Sequence, residues 1–229
     1  MPVTVKTVTG ATVTPEERTS AKRVLVESFL SNPEHMALWA HSSAANTALN
    51  ERYIDYALDA GHELALAQVD DGAVAGVAIW VRPGEDFMPE GQRPIIFKDA
   101  LDALPAGHKA FFLNDLWPVS GDMVESVLPN AEHEWWYLPM IGVSPSAQGK
   151  GVGKALLGAK VAQVAATTGG TPARGPRAIA LYTESPGNIA FYNKLGFALR
   201  AHQKYDLPSG EVWENMFLSY PADAAVGAA

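Results

Sequence analysis

Val143-Ser144-Pro145-Ser146-Ala147-Gln148-Gly149-Lys150-Gly151-Val152-Gly153 follows an apolar run and opens a segment with helical spacing. Its reading decides how the rest of the chain is understood. Glycines in such a turn let the backbone take conformations closed to larger residues and come close to a ligand. Successive amide N–H groups can then face one anion, and the helix that begins there adds positive potential. The stretch reads as a grip for a pyrophosphate.

Spacing sets aside the familiar glycine motifs. A dinucleotide fingerprint counted from Gly149 would need a third glycine where Lys154 stands, and a Walker loop would need Ser or Thr where Ala155 follows Gly153-Lys154. A nucleophile elbow fails because Gly142-Val143-Ser144-Pro145-Ser146 ends in serine. What remains is Q-x-x-G-x-G, carried by Gln148, Gly151 and Gly153.

That pattern resembles the acetyl-CoA-binding signature of the GCN5-related N-acetyltransferases (GNAT). A second stretch, Ala180-Leu181-Tyr182-Thr183-Glu184-Ser185-Pro186-Gly187-Asn188-Ile189-Ala190-Phe191-Tyr192-Asn193-Lys194-Leu195-Gly196-Phe197, resembles the family's fifth strand, following helix and Y-x-K-L-G-F ending. Two matches in the right order are far more specific than either alone. Within the family, Phe29 to Pro33, Ile79-Trp80-Val81-Arg82-Pro83, and Trp136-Tyr137-Leu138 through Gly153 resemble the puromycin N-acetyltransferase branch. That branch places a glutamate near the position of Tyr182, so the chain departs from it there.

The chain has 229 residues, 48% hydrophobic and 18% charged, a composition that supports one substantial core. Absence of cysteine removes disulfides, thiolate metal sites and an acyl-cysteine intermediate. Net charge of −8 without a basic stripe argues against nucleic acid as a partner and is compatible with a cationic amine. The histidines at 35, 41, 62, 108, 133 and 202 form no close ligand pattern, so no metal is expected. Met1 to Lys6 has no leader pattern and no apolar run is long enough to span a bilayer, so no membrane partner and a soluble, cytoplasmic protein are expected. The acceptor partner is expected to be a small-molecule amine, the assembly a monomer or homodimer.

Strands are expected at Val3–Val8, His62–Val69, Ala73–Trp80, Trp135–Val143, Arg177–Thr183, Ala198–Tyr205 and Glu211–Ser219. Asp70-Asp71-Gly72 makes the second and third a hairpin, and Pro139 marks a bulge or splay in the fourth. Helices are expected from Thr14-Pro15-Glu16-Glu17 to the Asn32-Pro33 break, from Ala44 to Ala60, from Gly151 to Ala166 and from Asn188 to Lys194. Residues 81–132 read as an insertion over the site, with helical pieces at Ile95–Leu104 and Ala110–Trp117, and residues 167–177 as a loop. A single domain over 1–221 and a disordered tail over 222–229 complete the reading. The element order implies a mixed α/β class, a mostly antiparallel sheet flanked by helices, and the resemblance adds a splayed fourth strand.

Residue roles follow from the resemblance. Met140, Ile141 and Val143 would offer backbone groups to the pantetheine and thioester of acetyl-CoA, and Gln148, Gly149, Lys150, Gly151, Val152 and Gly153 would take the pyrophosphate. Lys154 reads equally as a phosphate contact or a solvated first-turn lysine. Tyr192 stands where the family's tyrosine protonates the departing sulfur, and a neutral phenol suits that task; its simpler reading is a core aromatic beside Phe191 and Phe197. Asn188 either meets the pantetheine or caps its helix. Glu184, directly after the fifth strand, is the first choice for general base, with Glu132, His133 and Glu134 as alternatives. Phe29, Tyr53, Trp80, Trp117, Trp135, Trp136, Tyr137 and Tyr182 are candidates to line an acceptor pocket, with Trp135 and Trp136 facing opposite sides of their strand. The activity implied is direct acetyl transfer from acetyl-CoA to the amine of an antibiotic, aminonucleoside or amino-acid-like metabolite. A protein or peptide acetyltransferase and a non-catalytic acetyl-CoA sensor are the rivals.

Overall fold

The computed structural model describes residues 2–70, 72–89, 91–118, 135–167 and 178–221. At its centre lies a seven-stranded sheet in the order β1-β2-β3-β4-β5-β7-β6, built from β1 (Val3–Val8), β2 (Glu63–Val69), β3 (Ala73–Val81), β4 (Trp136–Val143), β5 (Ile179–Thr183), β6 (Ala198–Asp206) and β7 (Val212–Tyr220). All neighbouring pairs are antiparallel except β4 with β5, which is parallel. The mixed, mostly antiparallel sheet read from sequence is the sheet found, with each expected strand within a residue or two of its place.

Helices α1 (Pro15–Leu30), α2 (Pro33–Leu38) and α3 (Ser43–Asp59) lie between β1 and β2. Between β3 and β4 come α4 (Arg93–Ile96), α5 (Lys98–Asp102) and α6 (Ala106–Phe111), which runs on into a π-helical turn at Phe112–Leu116. Helix α7 (Val152–Thr167) follows β4, and α8 (Gly187–Asn193) follows β5. The expected tail, most of the 167–177 loop, and Glu132, His133 and Glu134 lie outside the described residues.

Local chemistry explains the helix starts. The Thr14 hydroxyl accepts from the Glu17 N–H while the Glu17 carboxylate accepts from the Thr14 N–H, a reciprocal cap worth about 1 kcal/mol. Asn32 does the same work for α2, its side chain accepting from the His35 N–H, with Pro33 and Glu34 in the first turn. The sequence reading took Asn32-Pro33 only as a break. Proline is well suited to the first helical position, where its missing N–H would have no partner, and six residues are too few to show a period.

Helices α1 and α3 cover one face of the sheet with Val24, Leu25, Ile54 and Leu58 against Leu64, Leu66, Val77 and Ile79. Helix α7 covers the other with Val152, Leu156 and Leu157 against Ala65, Ala67, Trp136 and Leu138. Here Gly76 of β3 is required by close approach, because a Cβ at that position would stand 2.5 Å from Val152 Cγ1. A further cluster of Trp39, Leu49, Phe97, Leu101, Phe112 and Trp213 ties α2, α3 and the described part of the 81–132 segment to β7.

The feature that positions the site is the parting of β4 from β5. Their pairing covers only Trp136↔Ile179, Tyr137↔Ala180 and Leu138↔Leu181, whereas β4 stays with β3 as far as Gly76↔Val143. Pro139 follows the last β5 pair and has no N–H to give a ladder, and the register with β3 shifts between Ile79 and Val81. The strands separate after Leu138 and leave a fork.

Candidate active site

The fork opens into a cleft of about 900 Å³ that runs from the turn before α7 to the helices of the 81–132 segment. Among the residues expected to meet the cofactor, Met140, Ile141, Val143, Gln148, Gly149, Gly151, Val152, Gly153, Lys154, Asn188 and Tyr192 line it, while Lys150 does not. Ser144 donates its N–H to the Ala75 carbonyl at 2.9 Å, so β4 presents alternate backbone groups to β3 and to the fork. By that alternation Ile141 and Val143 turn toward the fork. Val143 is already engaged, its N–H donating to Ser28 Oγ and its carbonyl accepting from Gln148 Nε2, both at 3.3 Å. Gln148 therefore braces its own turn, and Ile141 carries the strand amide turned into the opening.

Gly149 and Gly151 hold φ of 72° and 84°, in the left-handed region, with no atom within 4 Å of where a Cβ would stand. The first intrahelical bond in this turn runs from the Ala155 N–H to the Gly151 carbonyl at 2.9 Å. The amides of Val152, Gly153 and Lys154 consequently have no acceptor within the helix. Orphaned donors at a helix start, beside open space that a side chain would fill, form a cradle that fits a diphosphate.

Tyr192 is 4% exposed yet lines the cleft, packed between Phe191 and Phe197 at centroid distances of 5.2 and 5.7 Å. Burial pushes its hydroxyl well above the usual tyrosine range, so it stays protonated. Asn188 Nδ2 donates to Thr183 Oγ1 at 3.3 Å, and Pro186 precedes α8, so Asn188 ties the helix to the end of β5 without capping it.

The opposite end of the cleft is built from side chains. Glu184 accepts from His35 Nδ1 at 2.7 Å on one oxygen and from Trp213 Nε1 at 3.3 Å on the other. Glu34, Glu85 and Asp86 line the same end, together with Arg93. Phe29, Tyr137 and Tyr182, expected in the acceptor pocket, line the cleft, as do Tyr53 and Trp117. Phe87 stacks on Tyr53 with centroids 5.8 Å apart and planes at 3°. Burial, opposed by Arg93 and aided by Glu184, pushes the Tyr53 hydroxyl up to about 12.

Three expected pocket residues lie elsewhere. Trp80 and Trp136 sit beneath α7, where the Lys160 ammonium is 5.3 and 3.4 Å from their ring centroids and pairs with Glu63 at 2.9 Å. Side-chain alternation along β4 sends Trp136 to the α7 face, while Trp135, off the cleft wall itself, packs behind Tyr137 and Tyr182. Sequence reasoning missed His35, Glu34, Trp39, Phe87 and Trp213. Only His35 had a local signal: the Asn32-Pro33-Glu34 start that makes it helical.

A seven-stranded mixed sheet forked at a parallel pair, with a glycine turn and helix start at the fork, defines the acyl-CoA N-acyltransferase class of fold. Residues 119–199 match the family model described as Acetyltransferase (GNAT) domain. An uncharacterised N-acetyltransferase of Schizosaccharomyces pombe is 32% identical over 105 residues, 43% of this chain and 39% of that protein. The chain thus matches well under half the length of this curated relative. Among solved structures, the histone acetyltransferase HPA2 and related acetyltransferase of Corynebacterium glutamicum is 24% identical with TM-score 0.60, each chain covered in full. A phosphinothricin acetyltransferase of Sinorhizobium meliloti, in complex with acetyl-CoA, is 19% identical with TM-score 0.53, covering 96% of this chain and 89% of that one. The putative acetyltransferase yncA of Salmonella typhimurium, with acetyl-CoA, is 13% identical with TM-score 0.54 over 100% and 99%. These likenesses establish the fold.

Proposed function

We propose that the chain is an N-acetyltransferase that moves an acetyl group from acetyl-CoA to the primary amine of a small molecule. The observation that carries this reading is the fork, with a diphosphate cradle at one end of its cleft and carboxylates among aromatic rings at the other. The match of residues 119–199 to the GNAT family model supports acetyl-CoA as donor. The acceptor end is walled by Phe87, Met88, Phe97, Phe112 and Trp117, which favours a compact amine with an apolar or aromatic body over a lysine presented on a protein surface.

Bound acetyl-CoA supplies the acetyl thioester and the leaving thiol. The amides of Val152, Gly153 and Lys154 would hold its diphosphate, and the Ile141 N–H, turned into the opening, would supply a fixed donor to the negative charge developing on the thioester oxygen. Glu184 draws the acceptor's ammonium to the fork and takes its proton, leaving the nitrogen lone pair free to form the C–N bond as the C–S bond breaks. Tyr192 gives its proton to the departing sulfur, and the second proton shed by the acylated nitrogen restores the phenol, leaving neutral amide and free thiol.

Thiol release from acetyl-CoA against small amines and a lysine peptide tests the reading, with calorimetric acetyl-CoA binding alongside. The protein has no cysteine of its own, so every released thiol comes from the coenzyme. Turnover is expected with small amines. Tyr192→Phe is expected to lower kcat by about 10- to 100-fold while acetyl-CoA affinity holds. Tight acetyl-CoA binding without turnover on any amine would replace the enzyme with a sensor.

A further inference from the structure

Helix α2 holds a polar cluster that no role described so far requires. Asn32 Nδ2 donates to Ser185 Oγ at 3.3 Å, Ser185 Oγ donates to Glu34 at 3.1 Å, and His35 Nδ1 meets Glu184 at 2.7 Å. The start of α2 is thereby bonded to the loop after β5. His35 is 4% exposed, with its ring 4.4 Å from that of Phe29 and 6.3 Å from that of Trp39. Its Nε2 has no hydrogen-bond partner among the described residues. A carboxylate accepts only, so the 2.7 Å contact puts the proton on Nδ1 of the imidazole. Burying such a pair against aromatic rings is unfavourable compared with apolar packing of the same volume.

We infer that His35 is a positioning residue for Glu184, and that the two work as one proton-accepting unit at the acceptor amine. This rests on the transfer reading above. The Nδ1–H fixes one carboxylate oxygen and the Trp213 N–H fixes the other, so the remaining lone pairs of Glu184 are held toward the cleft. When the acceptor's ammonium arrives, one N–H bond breaks. The electron pair stays on nitrogen, the proton passes to the Glu184 carboxylate, and His35 keeps its own proton throughout. Without the imidazole, Glu184 would lose its orientation toward the cleft.

The test combines kinetics with NMR on the full chain. His35→Leu is expected to lower kcat by about 30- to 100-fold, with acetyl-CoA affinity unchanged and amine KM within about threefold. His35→Asn, whose side-chain N–H can replace Nδ1–H, is expected to recover most of that loss. In a Glu184→Gln background, His35→Leu is expected to change kcat by less than about twofold, because the two substitutions remove the same unit. A downfield Nδ1–H proton resonance is expected in the wild type and absent from Glu184→Gln, a readout that needs no turnover. A folded His35→Leu variant with wild-type kcat, an Asn variant no better than Leu, additive effects in the double variant, or no Nδ1–H resonance would each overturn the inference. Loss of acetyl transfer in the wild type, with that resonance present, would overturn the transfer reading alone.

Discussion

The two ends of the cleft are made of different material. At the proposed cofactor end the atoms assigned a role belong to the backbone: the Ile141 amide freed by the parting of β4 from β5, and the orphaned amides at the start of α7. The acceptor end is made of side chains delivered by α2, α3, the 81–132 segment, the loop after β5, and β7. Backbone donors need only the right local conformation, which a short run of glycines can encode. Side-chain constellations need the whole tertiary fold. Charge divides the same way, with helix-start amides and Lys154 at one end and Glu34, Glu85, Asp86 and Glu184 at the other.

The largest effect expected from breaking this division comes from Gly151→Asp. The substitution places an L side chain at φ of 84° and a negative charge in the diphosphate cradle. Acetyl-CoA affinity is expected to fall by about 100- to 1,000-fold while the protein stays folded, since strain and like-charge repulsion each contribute roughly 1–4 kcal/mol. Calorimetry with the coenzyme checks it, and normal affinity in the folded variant would end the cradle reading.

A smaller effect, confined to the other end, is expected from Phe87→Ala. Its ring stacks on Tyr53 and reaches Tyr137 at 6.3 Å. Removing it is expected to raise KM for an aromatic amine by about tenfold, the worth of one aromatic contact, and leave acetyl-CoA binding untouched. Equal losses for coenzyme and amine would show that the two ends are not separate. The smallest effect is expected from Lys160→Met, on the α7 face. Arg82 still pairs with Glu63 at 3.1 Å, so kcat is expected to stay within about twofold and thermal stability to change modestly. A large loss of kcat would show that the Trp136 face communicates with the fork.

The same division explains what could be read before folding. The cradle was legible because Gln148, Gly151 and Gly153 sit in one continuous turn, and Pro139 advertised the parting of the strands. Strand positions were legible because period-two alternation and the Asp-Gly turn are local signals. Helix α2 was not, because its start signal resembles a stop and its length shows no period. Trp80 and Trp136 were misplaced for a related reason: alternation says that neighbours on a strand oppose each other, but not which face lies over the cleft. Glu184 could be named from its place after β5. Its partner His35, 149 positions earlier, could be found only once the chain had folded.

As a mechanical object, the sheet is a pair of leaves. One carries β1 to β4, the other β5 to β7, and among the described residues they are hinged within the sheet along Trp136–Leu138 and Ile179–Leu181. Beyond the hinge, on the rim where the amine is proposed to arrive, α2 of the first leaf is fastened to the second through Ser185 and Glu184. Any load that spreads the leaves is therefore shared by the apolar contacts to β7, the bonds to Ser185 and a hydrogen bond to the very carboxylate proposed to take the proton. At this rim, one bond both fastens the leaves and aims that carboxylate.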